Sequence, residues 1–411
     1  MADFDELLTG ALRGLAAEAP ALPPLSSRVR RRVRAGRAAT VVAGVAIAAG
    51  LSTGLVIGAQ ALTRTAPEAG AHPVTAYVAN YHSGTVTPIQ TATNTALKPI
   101  HLASGLGEGS LAITPDGTTV YVANARAGTV TPIRVATNTA LGPIKAGSNA
   151  DHLAITPDGM TLYVTNIASP GPSAVTAIRT PTNTVVKTIQ VGGEPVAIAI
   201  TPDGKTAYVA GTEKAVTPIR VATNTALEQI RTGIAPLGIV IAPDRKTAYV
   251  ANAGSNTVTP INTVTNTAGK PIKVGCSPFP IAITPDGSTV YVACRLSDRV
   301  IPIRVATNTA LAPIKVGRYP DTIVFTPDGK TAYVSNSMGD TVTAIQTATN
   351  TVVKTIKTGI HPYAIAVTPD GKTAYVANSG SDTVTPIRVA TNTALAPIKT
   401  GRSPDDIVIT P

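Results

Sequence analysis

A repeated unit of about 42 residues is the feature of this chain that most constrains its fold. One copy, residues 365–399, reads IAVTPDGKTAYVANSGSDTVTPIRVATNTALAPIK, and similar copies run from residue 74 to the C-terminus. The aspartates of successive TPDG turns lie 42, 45, 41, 42, 42 and 42 residues apart, at Asp116, Asp158, Asp203, Asp244, Asp286, Asp328 and Asp370. A regular period of this length indicates a repeat protein.

Each unit contains four short segments rich in β-branched and aromatic residues. In residues 365–399 these segments are IAVT, TAYVAN, DTVTPIR and ALAPIK, and turn-forming Gly, Asn and Pro residues separate them. Such segments predict four strands per unit, called A to D in chain order. No apolar period of 3.6 residues is visible, which argues against a helical repeat. The pattern therefore predicts an all-β fold, a β-propeller in which each unit supplies one four-stranded blade.

The amino-acid sequence of strand B resembles that of a known family. Its Tyr-Val-x-Asn form recurs in most copies, and over residues 74–411 the chain resembles the YVTN-repeat β-propeller family. Many members of that family look like cell-surface or surface-layer components. The resemblance therefore implies an interaction module at the cell surface.

Counting strands gives the number of blades. Strand B occurs eight times, starting at Tyr77, Tyr121, Tyr163, Tyr208, Tyr249, Tyr291, Tyr333 and Tyr375. Strands A, C and D also occur eight times each, which predicts an eight-bladed propeller. The repeat begins at strand B and ends after strand A, residues 405–411. We therefore expect the C-terminal strand to complete the blade that Tyr77 begins and to close the ring.

The first 73 residues differ from the repeats. Residues 1–37 predict a cytoplasmic leader with a short amphipathic helix, which could also dock a partner, and a basic cluster of six arginines between Arg28 and Arg37. Residues 38–63 carry no charge and as a helix would span about 39 Å, enough to cross a membrane. Residues 64–73 form a linker. The charge asymmetry predicts an anchor with a cytoplasmic N-terminus and a propeller outside the plasma membrane.

Two alternatives accompany this anchor. Small residues at 59, 61, 69 and 71 have the form of signal-peptide cleavage sites, so secretion after cleavage is the rival interpretation. Gly50, Gly54 and Gly58 would share one face of the helix, where a second helix could approach closely, so a weak homodimer is a further hypothesis.

Residues shared by all repeats have structural explanations. The TPDG aspartates are expected in turns, and the Asn of each Thr-Asn-Thr turn tolerates a positive φ. The strand B tyrosines are expected to pack between blades. Proline recurs in strand C at Pro88, Pro132, Pro218, Pro260, Pro302 and Pro386, where it removes a ladder hydrogen bond and predicts a bulge or weakened pairing. Prolines in the outer strand D should discourage edge-to-edge association.

Function is sought where the repeats differ, in the D–A and B–C connections on one face. We predict that this face binds a partner or ligand through a mixture of rings and charges. The candidate binding residues are Tyr81, His152, Phe279, Arg318, Tyr319, Asp321, His361, Tyr363, Arg402, Asp405 and Asp406. Cys276 and Cys294 are the only cysteines, lie in one A–B hairpin and are predicted to form a disulfide outside the cytoplasm.

The sequence gives no positive reason to expect catalysis, a metal or a cofactor. No nucleophile elbow, phosphate-binding loop or dinucleotide fingerprint occurs, and the five histidines lack metal-ligand spacing. Because propeller enzymes exist, a lactonase- or lyase-like enzyme outside the cytoplasm remains an alternative. The net charge of +8 over residues 73–411 and the basic residues of strands C and D leave a third interpretation, a binder of anionic polymer such as nucleic acid or cell-wall polymer.

Overall fold

The computed structural model describes residues 73–102, 110–167 and 173–411, and these fold as eight antiparallel sheets. In each sheet the strand order is A-B-C-D. From blade 1 to blade 8 the A strands are Pro404–Ile409, Leu111–Ile113, Ala150–Ile155, Pro195–Ile200, Pro236–Ile241, Ile281–Ile283, Pro320–Phe325 and Pro362–Val367. The predicted eight-bladed β-propeller is confirmed.

Strands B and C form the regular centre of each blade. From blade 1 to blade 8 the B strands are Thr75–Asn80, Thr119–Asn124, Thr161–Asn166, Thr206–Gly211, Thr247–Asn252, Thr289–Cys294, Thr331–Asn336 and Thr373–Asn378. The C strands are Thr85–Gln90, Thr129–Arg134, Ala174–Arg179, Ala215–Arg220, Thr257–Asn262, Arg299–Arg304, Thr341–Gln346 and Thr383–Arg388. Their alternating Val, Ile, Tyr and Ala side chains are buried between neighbouring blades, where the core lies.

The chain closes the ring with its last strand. Pro404–Ile409 pairs with Thr75–Asn80, and Val408 lies opposite Tyr77. The same strand packs against the A strands of blades 2 and 8, and each remaining A strand packs against its two neighbours. The eight A strands therefore form an unbroken inner ring, as the register of the repeat predicts.

A tyrosine–asparagine hydrogen bond joins every pair of neighbouring blades. The hydroxyl of each strand B tyrosine donates to the Oδ1 of the asparagine in the C–D turn of the next blade, as Tyr77 does to Asn138 at 2.6 Å. The other seven pairs are Tyr121–Asn183, Tyr163–Asn224, Tyr208–Asn266, Tyr249–Asn308, Tyr291–Asn350, Tyr333–Asn392 and Tyr375–Asn94. All eight asparagines have a positive φ. The tyrosines thus pack as predicted and also fix the blades to one another.

The prolines of strand C act on strand D and leave strand B undisturbed. Each proline lies opposite a strand B tyrosine in an unbroken ladder. In these six blades strand D is split into two pieces: Thr95–Ala96 and Ile100–His101, Thr139–Ala140 and Ile144–Lys145, Thr225–Ala226 and Ile230–Arg231, Thr267–Ala268 and Ile272–Lys273, Thr309–Ala310 and Ile314–Lys315, Thr393–Ala394 and Ile398–Lys399. Blades 3 and 7 have Ala177 and Ala344 instead, and their D strands, Thr184–Gln190 and Thr351–Lys357, are each one strand with a single shift in register against strand C. The prolines therefore weaken the pairing with strand D, as predicted, and the bulges occur where the proline is absent.

The TPDG aspartates stabilise their own turns. In blade 7 the Thr326 hydroxyl donates to Asp328 Oδ1 at 2.7 Å, and the Lys330 N–H donates to the same oxygen at 3.1 Å. These hydrogen bonds lower the pKa of Asp328. The aspartates are turn formers, as expected.

The predicted leader, transmembrane helix and Gly50, Gly54 and Gly58 face lie outside the described residues. Within the described residues, no helix has the length and apolar character needed to cross a membrane.

Candidate functional site

The D–A and B–C connections lie together on one face of the ring, which we call the variable face. Strand A enters the blade from this face, and in six blades its pairing with strand B is shifted near the start by a bulge. A bulge leaves a residue unpaired and re-aims its side chain. The extra residues include Asp405, Asp151, His152, Asp321 and Tyr363.

The bulges correct one part of the sequence interpretation. The sequence predicts His152, Asp321 and Tyr363 in D–A connections, but each lies within an A strand, as Asp405 and Asp406 do. The bulge interrupts the alternation of the strand, so its first residues look like a loop in the sequence.

The candidate binding residues differ widely in exposure. His152, Phe279, Asp321 and Asp406 are buried, Tyr81, Tyr319, Tyr363 and Asp405 are half-buried, and Arg318, His361 and Arg402 are exposed. Most of them belong to three separate groups of contacting residues. One small group on blade 1 holds Tyr81 in edge contact with His82, whose carbonyl accepts a hydrogen bond from Arg402. The exposed side chains can therefore contact a partner directly. The four buried side chains contact other parts of the propeller instead.

The second group surrounds Arg295 on blades 6 and 7. Its guanidinium forms an ion pair with Asp321, with Nη2 2.6 Å from Oδ1. It also lies 4.6 Å from the ring centre of Phe279 and 5.4 Å from that of Tyr319. Burial raises the pKa of Asp321, and the positive charge of Arg295 and a hydrogen bond with Ser337 oppose this. Phe279, Tyr319 and Asp321 are thus held together by a buried cation that links two blades.

The cysteines border this second group. Cys276, in the segment before strand A of blade 6, is joined to Cys294 at the end of strand B, with the Cα atoms 5.7 Å apart. Arg295 directly follows Cys294, and Phe279 lies three residues after Cys276. The bond therefore fixes both sides of the Arg295 contact with Phe279.

The third group places buried ionisable side chains on blades 1 to 3. Asp406 Oδ2 accepts a hydrogen bond from Leu111 N at 2.7 Å, and its Oδ1 accepts one from Ile407 N at 2.8 Å. Burial raises the pKa of Asp406 to about 7, while the two N–H donors and the nearby His152 oppose this. His152 Nδ1 lies 3.0 Å from Asp151 Oδ2.

The role of Asp406 in the fold is visible in the next blade. Ser110 occupies the equivalent position of blade 2, and its hydroxyl accepts a hydrogen bond from Leu153 N of blade 3 at 3.3 Å. Asp406 and Ser110 thus satisfy inner-strand N–H groups of the following blade. This arrangement is structural, yet it also places a carboxylic acid with a pKa near neutrality close to an imidazole.

Two sets of hydrogen bonds hold the D–A connections rigidly over blades 5 to 8. Asp298, Asp340 and Asp382 in the B–C turns of blades 6 to 8 accept the backbone N–H groups of Tyr319, His361 and Ser403 in the following connections, at 2.9, 2.9 and 2.8 Å. The Ser255 and Ser381 hydroxyls accept from Ile234 N and Ile360 N, at 2.6 and 3.1 Å. Asp298 and Asp340 therefore have a structural role.

The D–A connections and B–C turns of blades 5 to 8 present an arc of exposed apolar side chains. We call Ile234, Leu296, Met338 and Ile360 the apolar arc, and their exposed fractions are 45, 63, 56 and 51%. Ile234 and Ile360 lie against Gly254 and Gly380, where a Cβ would come within 2.8 and 2.7 Å of their Cγ2 atoms. Glycine is therefore required for these close approaches.

Among the described residues of the other half of the ring, three B–C turns present exposed polar or charged side chains. His82, Arg126 and Glu213 occupy the B–C turns of blades 1, 2 and 4 and are exposed. The apolar arc therefore lies on blades 5 to 8, and the described B–C turns of blades 1, 2 and 4 carry polar or charged side chains in the corresponding place.

Sequence reasoning missed the apolar arc because its members are single aliphatic residues in loops. Scattered exposed aliphatic residues are normal and attract no attention in a sequence. A weak signal existed, since Ser255 and Ser381 follow glycine at matching repeat positions, each in a repeat with isoleucine 21 residues earlier. Within the described ranges, no three His, Cys, Asp or Glu side chains converge as metal ligands.

The fold and this face define the class of the protein, an eight-bladed β-propeller with one variable face. A family model for YNCE-like β-propellers matches residues 274–377, which span blade 6, blade 7 and part of blade 8. Comparison with curated proteins found no match.

Several solved structures share the propeller fold. The hydrazine synthase of Kuenenia stuttgartiensis is 25% identical, with a TM-score of 0.57 over 68% of this chain and 95% of that chain. Dihydro-heme d1 dehydrogenase NirN, in complex with DHE, is 16% identical, with a TM-score of 0.71 over 84% of this chain and 77% of that one. A proposed 6-phosphogluconolactonase from Bacteroides fragilis is 19% identical, with a TM-score of 0.59 over 84% and 100%. Identities below 25% show the fold alone.

Proposed function

We propose that this protein is a YVTN-type interaction module of the cell surface, anchored in the plasma membrane by residues 38–63, that binds a protein partner through its variable face. The apolar arc carries this proposal. Four exposed apolar side chains lie on one half of one face. Exposure of this apolar surface to water is unfavourable, and its burial under a partner would contribute favourable binding free energy.

The surroundings of the arc favour a protein partner. Asp340 and Asp382 are exposed beside it, as are Arg318 and His361, so the arc has an apolar centre with charges of both signs around it. Protein interfaces have this composition, with an apolar core and a polar rim. Because hydrogen bonds already fix Ile234 and Ile360, little conformational entropy is lost on binding.

Selection from a random peptide library displayed on phage tests the proposal with the full chain as target. We expect selected peptides to carry apolar residues and to bind at least tenfold more weakly, about 1.4 kcal/mol, to the I234S/I360S variant. Val264 is 78% exposed in a C–D turn of the opposite face, so V264S is the matched control. Equal binding by I234S/I360S and wild type would place the site elsewhere. The R318A/Y319A/Y363A variant then tests the remainder of this face.

Topology is tested separately on intact cells. The proposed anchor predicts that a protease added outside cleaves a tag inserted in the propeller and spares a tag at the N-terminus. Protection of the propeller tag would contradict the cell-surface assignment without affecting the binding result.

An enzyme is the second candidate, and the third group of blades 1 to 3 is the observation that favours it. Asp406, with a pKa of about 7, could exchange a proton at neutral pH near His152. The likeness to a proposed 6-phosphogluconolactonase makes sugar lactones a first substrate class to test. Lactone hydrolysis that is lost in H152A, and absent from a mock preparation, would promote this reading. Hydrolysis no greater than that of the mock preparation would favour the binding module over the enzyme.

An anionic-polymer binder is also tested directly. Arg134, Arg179, Arg220, Arg304 and Arg388 end their C strands with exposed side chains. Lys315, Lys357 and Lys399 end the D strands of blades 6 to 8 on the same outer wall of the ring. Strongly salt-dependent binding of a single-stranded DNA probe, lost in K315Q/K357Q/K399Q, would move the site to this outer wall.

A further inference from the structure

Six of the eight outer edges are interrupted, and two are not. In blades 1, 2, 4, 5, 6 and 8 strand D consists of two-residue pieces, whereas in blades 3 and 7 it is one strand of seven residues with a single bulge, at Val186 and Val353. Strand D of blade 4 contains no proline and is still interrupted. The interruption therefore correlates with the strand C proline, here Pro218, and does not need a proline in strand D. The absence of this proline marks the two continuous edges.

Both continuous edges are exposed and have the same sequence. Residues 184–189 and 351–356 each read TVVKTI. Val185 and Val186 are 44 and 48% exposed, and Val352 and Val353 are 41 and 55% exposed. A strand of this kind presents unpaired N–H and C=O groups together with apolar side chains, which is the template for pairing with another strand.

The positions of the two edges determine what pairing would build. Blades 3 and 7 are four blades apart in a ring of eight, so their outer strands lie at opposite ends of one diameter. A molecule with like edges at opposite ends can join a second molecule at either end. Repetition of this contact gives a linear chain of propellers.

We infer that the D strands of blades 3 and 7 pair with those of a second copy of this chain, so that the propellers associate edge to edge. The identical sequences favour a second copy, because each edge meets the same backbone pattern and the same apolar residues on its partner. The lysine of the blade 7 segment leaves its edge open. Lys354 is directed along its own molecule, where its Nζ lies 3.5 Å from Thr391 O in blade 8.

The other six blades suggest a variant that would interrupt both continuous D strands. Alanine at 177 and 344 occupies the position that is proline in the other six blades, and those blades keep an unbroken B–C ladder around it. A177P/A344P should therefore fold and acquire interrupted D strands. V186K/V353K is a second edge variant that places charges on exposed side chains and leaves strand C unchanged.

Sedimentation velocity of the full chain over a range of concentrations tests the inference. We expect the weight-average sedimentation coefficient of the wild type to rise with concentration and that of both edge variants to stay constant. A single A344P variant then separates two supporting cases: residual dimers show that blade 3 pairs with blade 3, and their loss shows that the contact needs the edge of blade 7. A flat wild-type profile, or an equal rise in both edge variants, would overturn the inference.

Hydrogen exchange locates the contact independently of folding. Amides in residues 184–190 and 351–357 should exchange more slowly at high protein concentration than at low concentration, while those of the interrupted strand residues 309–315 should not change. Protection on the variable face alone would show that association uses the apolar arc, contradicting edge pairing and leaving the proposed function intact.

Discussion

Tyr375 in the last complete repeat donates a hydrogen bond from its hydroxyl to Oδ1 of Asn94 in the first repeat, at 2.6 Å across 281 residues of sequence. Asn94 has a φ of 54° in the C–D turn of blade 1. This bond has seven equivalents between other neighbouring blades. Here it joins the two ends of the repeat array, alongside the strand pairing of Pro404–Ile409 with Thr75–Asn80.

The Tyr375→Phe variant should lower the free energy of unfolding by about 1 kcal/mol, the usual contribution of one hydrogen bond. N94A should cost more than N94G, because alanine loses the bond and is strained at a positive φ, whereas glycine only loses the bond. Chemical denaturation measures all three. Y333F, at the junction of blades 7 and 8, is the matched control within the array. A loss much larger for Y375F than for Y333F would show that closure depends on this bond more than on strand pairing.

Asp406 should make stability depend on pH. Burial raises its pKa in the folded protein from 3.8 to about 7, so the folded state holds the proton more tightly than the unfolded state between these values. Its contribution is fully present below about pH 4 and is lost as the pH rises towards 7, by an amount on the order of 4 kcal/mol. Denaturation of wild type and D406N at several pH values should show this difference in slope.

Glu228→Gln is the control for Asp406, because Glu228 is an exposed carboxylate on the outer edge of blade 4. Parallel pH profiles for wild type and D406N would contradict the assignment.

The Arg295–Asp321 ion pair should respond more strongly to a single substitution than to a double one. R295M leaves Asp321 buried without its cation and should cost about 3–5 kcal/mol, as breaking a buried pair usually does. R295M/D321N should recover a substantial part of this loss, since the uncompensated charge is then removed. The coupling energy from a double-mutant cycle is the measurement. Additive effects would show that the contacts with Phe279 and Tyr319, rather than the ion pair, hold Arg295.

The disulfide should stabilise blade 6. The bond closes a loop of 18 residues, and the C276S/C294S variant should lose about 3 kcal/mol of stability. Labelling of unreduced protein with a thiol reagent should modify neither cysteine. Modification of both, together with unchanged melting of the double variant, would rule the bond out.

The sequence by itself determined the architecture, because each repeat independently contains the pattern that predicts one blade. The TPDG turns, the Tyr-Val-x-Asn strands and the αL asparagines predict four strands per blade through local rules of turn chemistry and alternation, and eight copies make the count secure. The register at the two ends also predicted that the strand ending near Ile409 would pair with that of Tyr77, since a ring needs a partner for each inner strand.

Only the tertiary structure decided what the non-repeated residues do. The bulges that carry Asp321 and Asp405 depend on pairing between strands A and B, and the Arg295–Asp321 pair depends on the packing of blade 6 against blade 7. These contacts join residues that no local pattern connects. The same reason hid the apolar arc, because Ile234 and Ile360 share one face only after the ring has brought distant loops together.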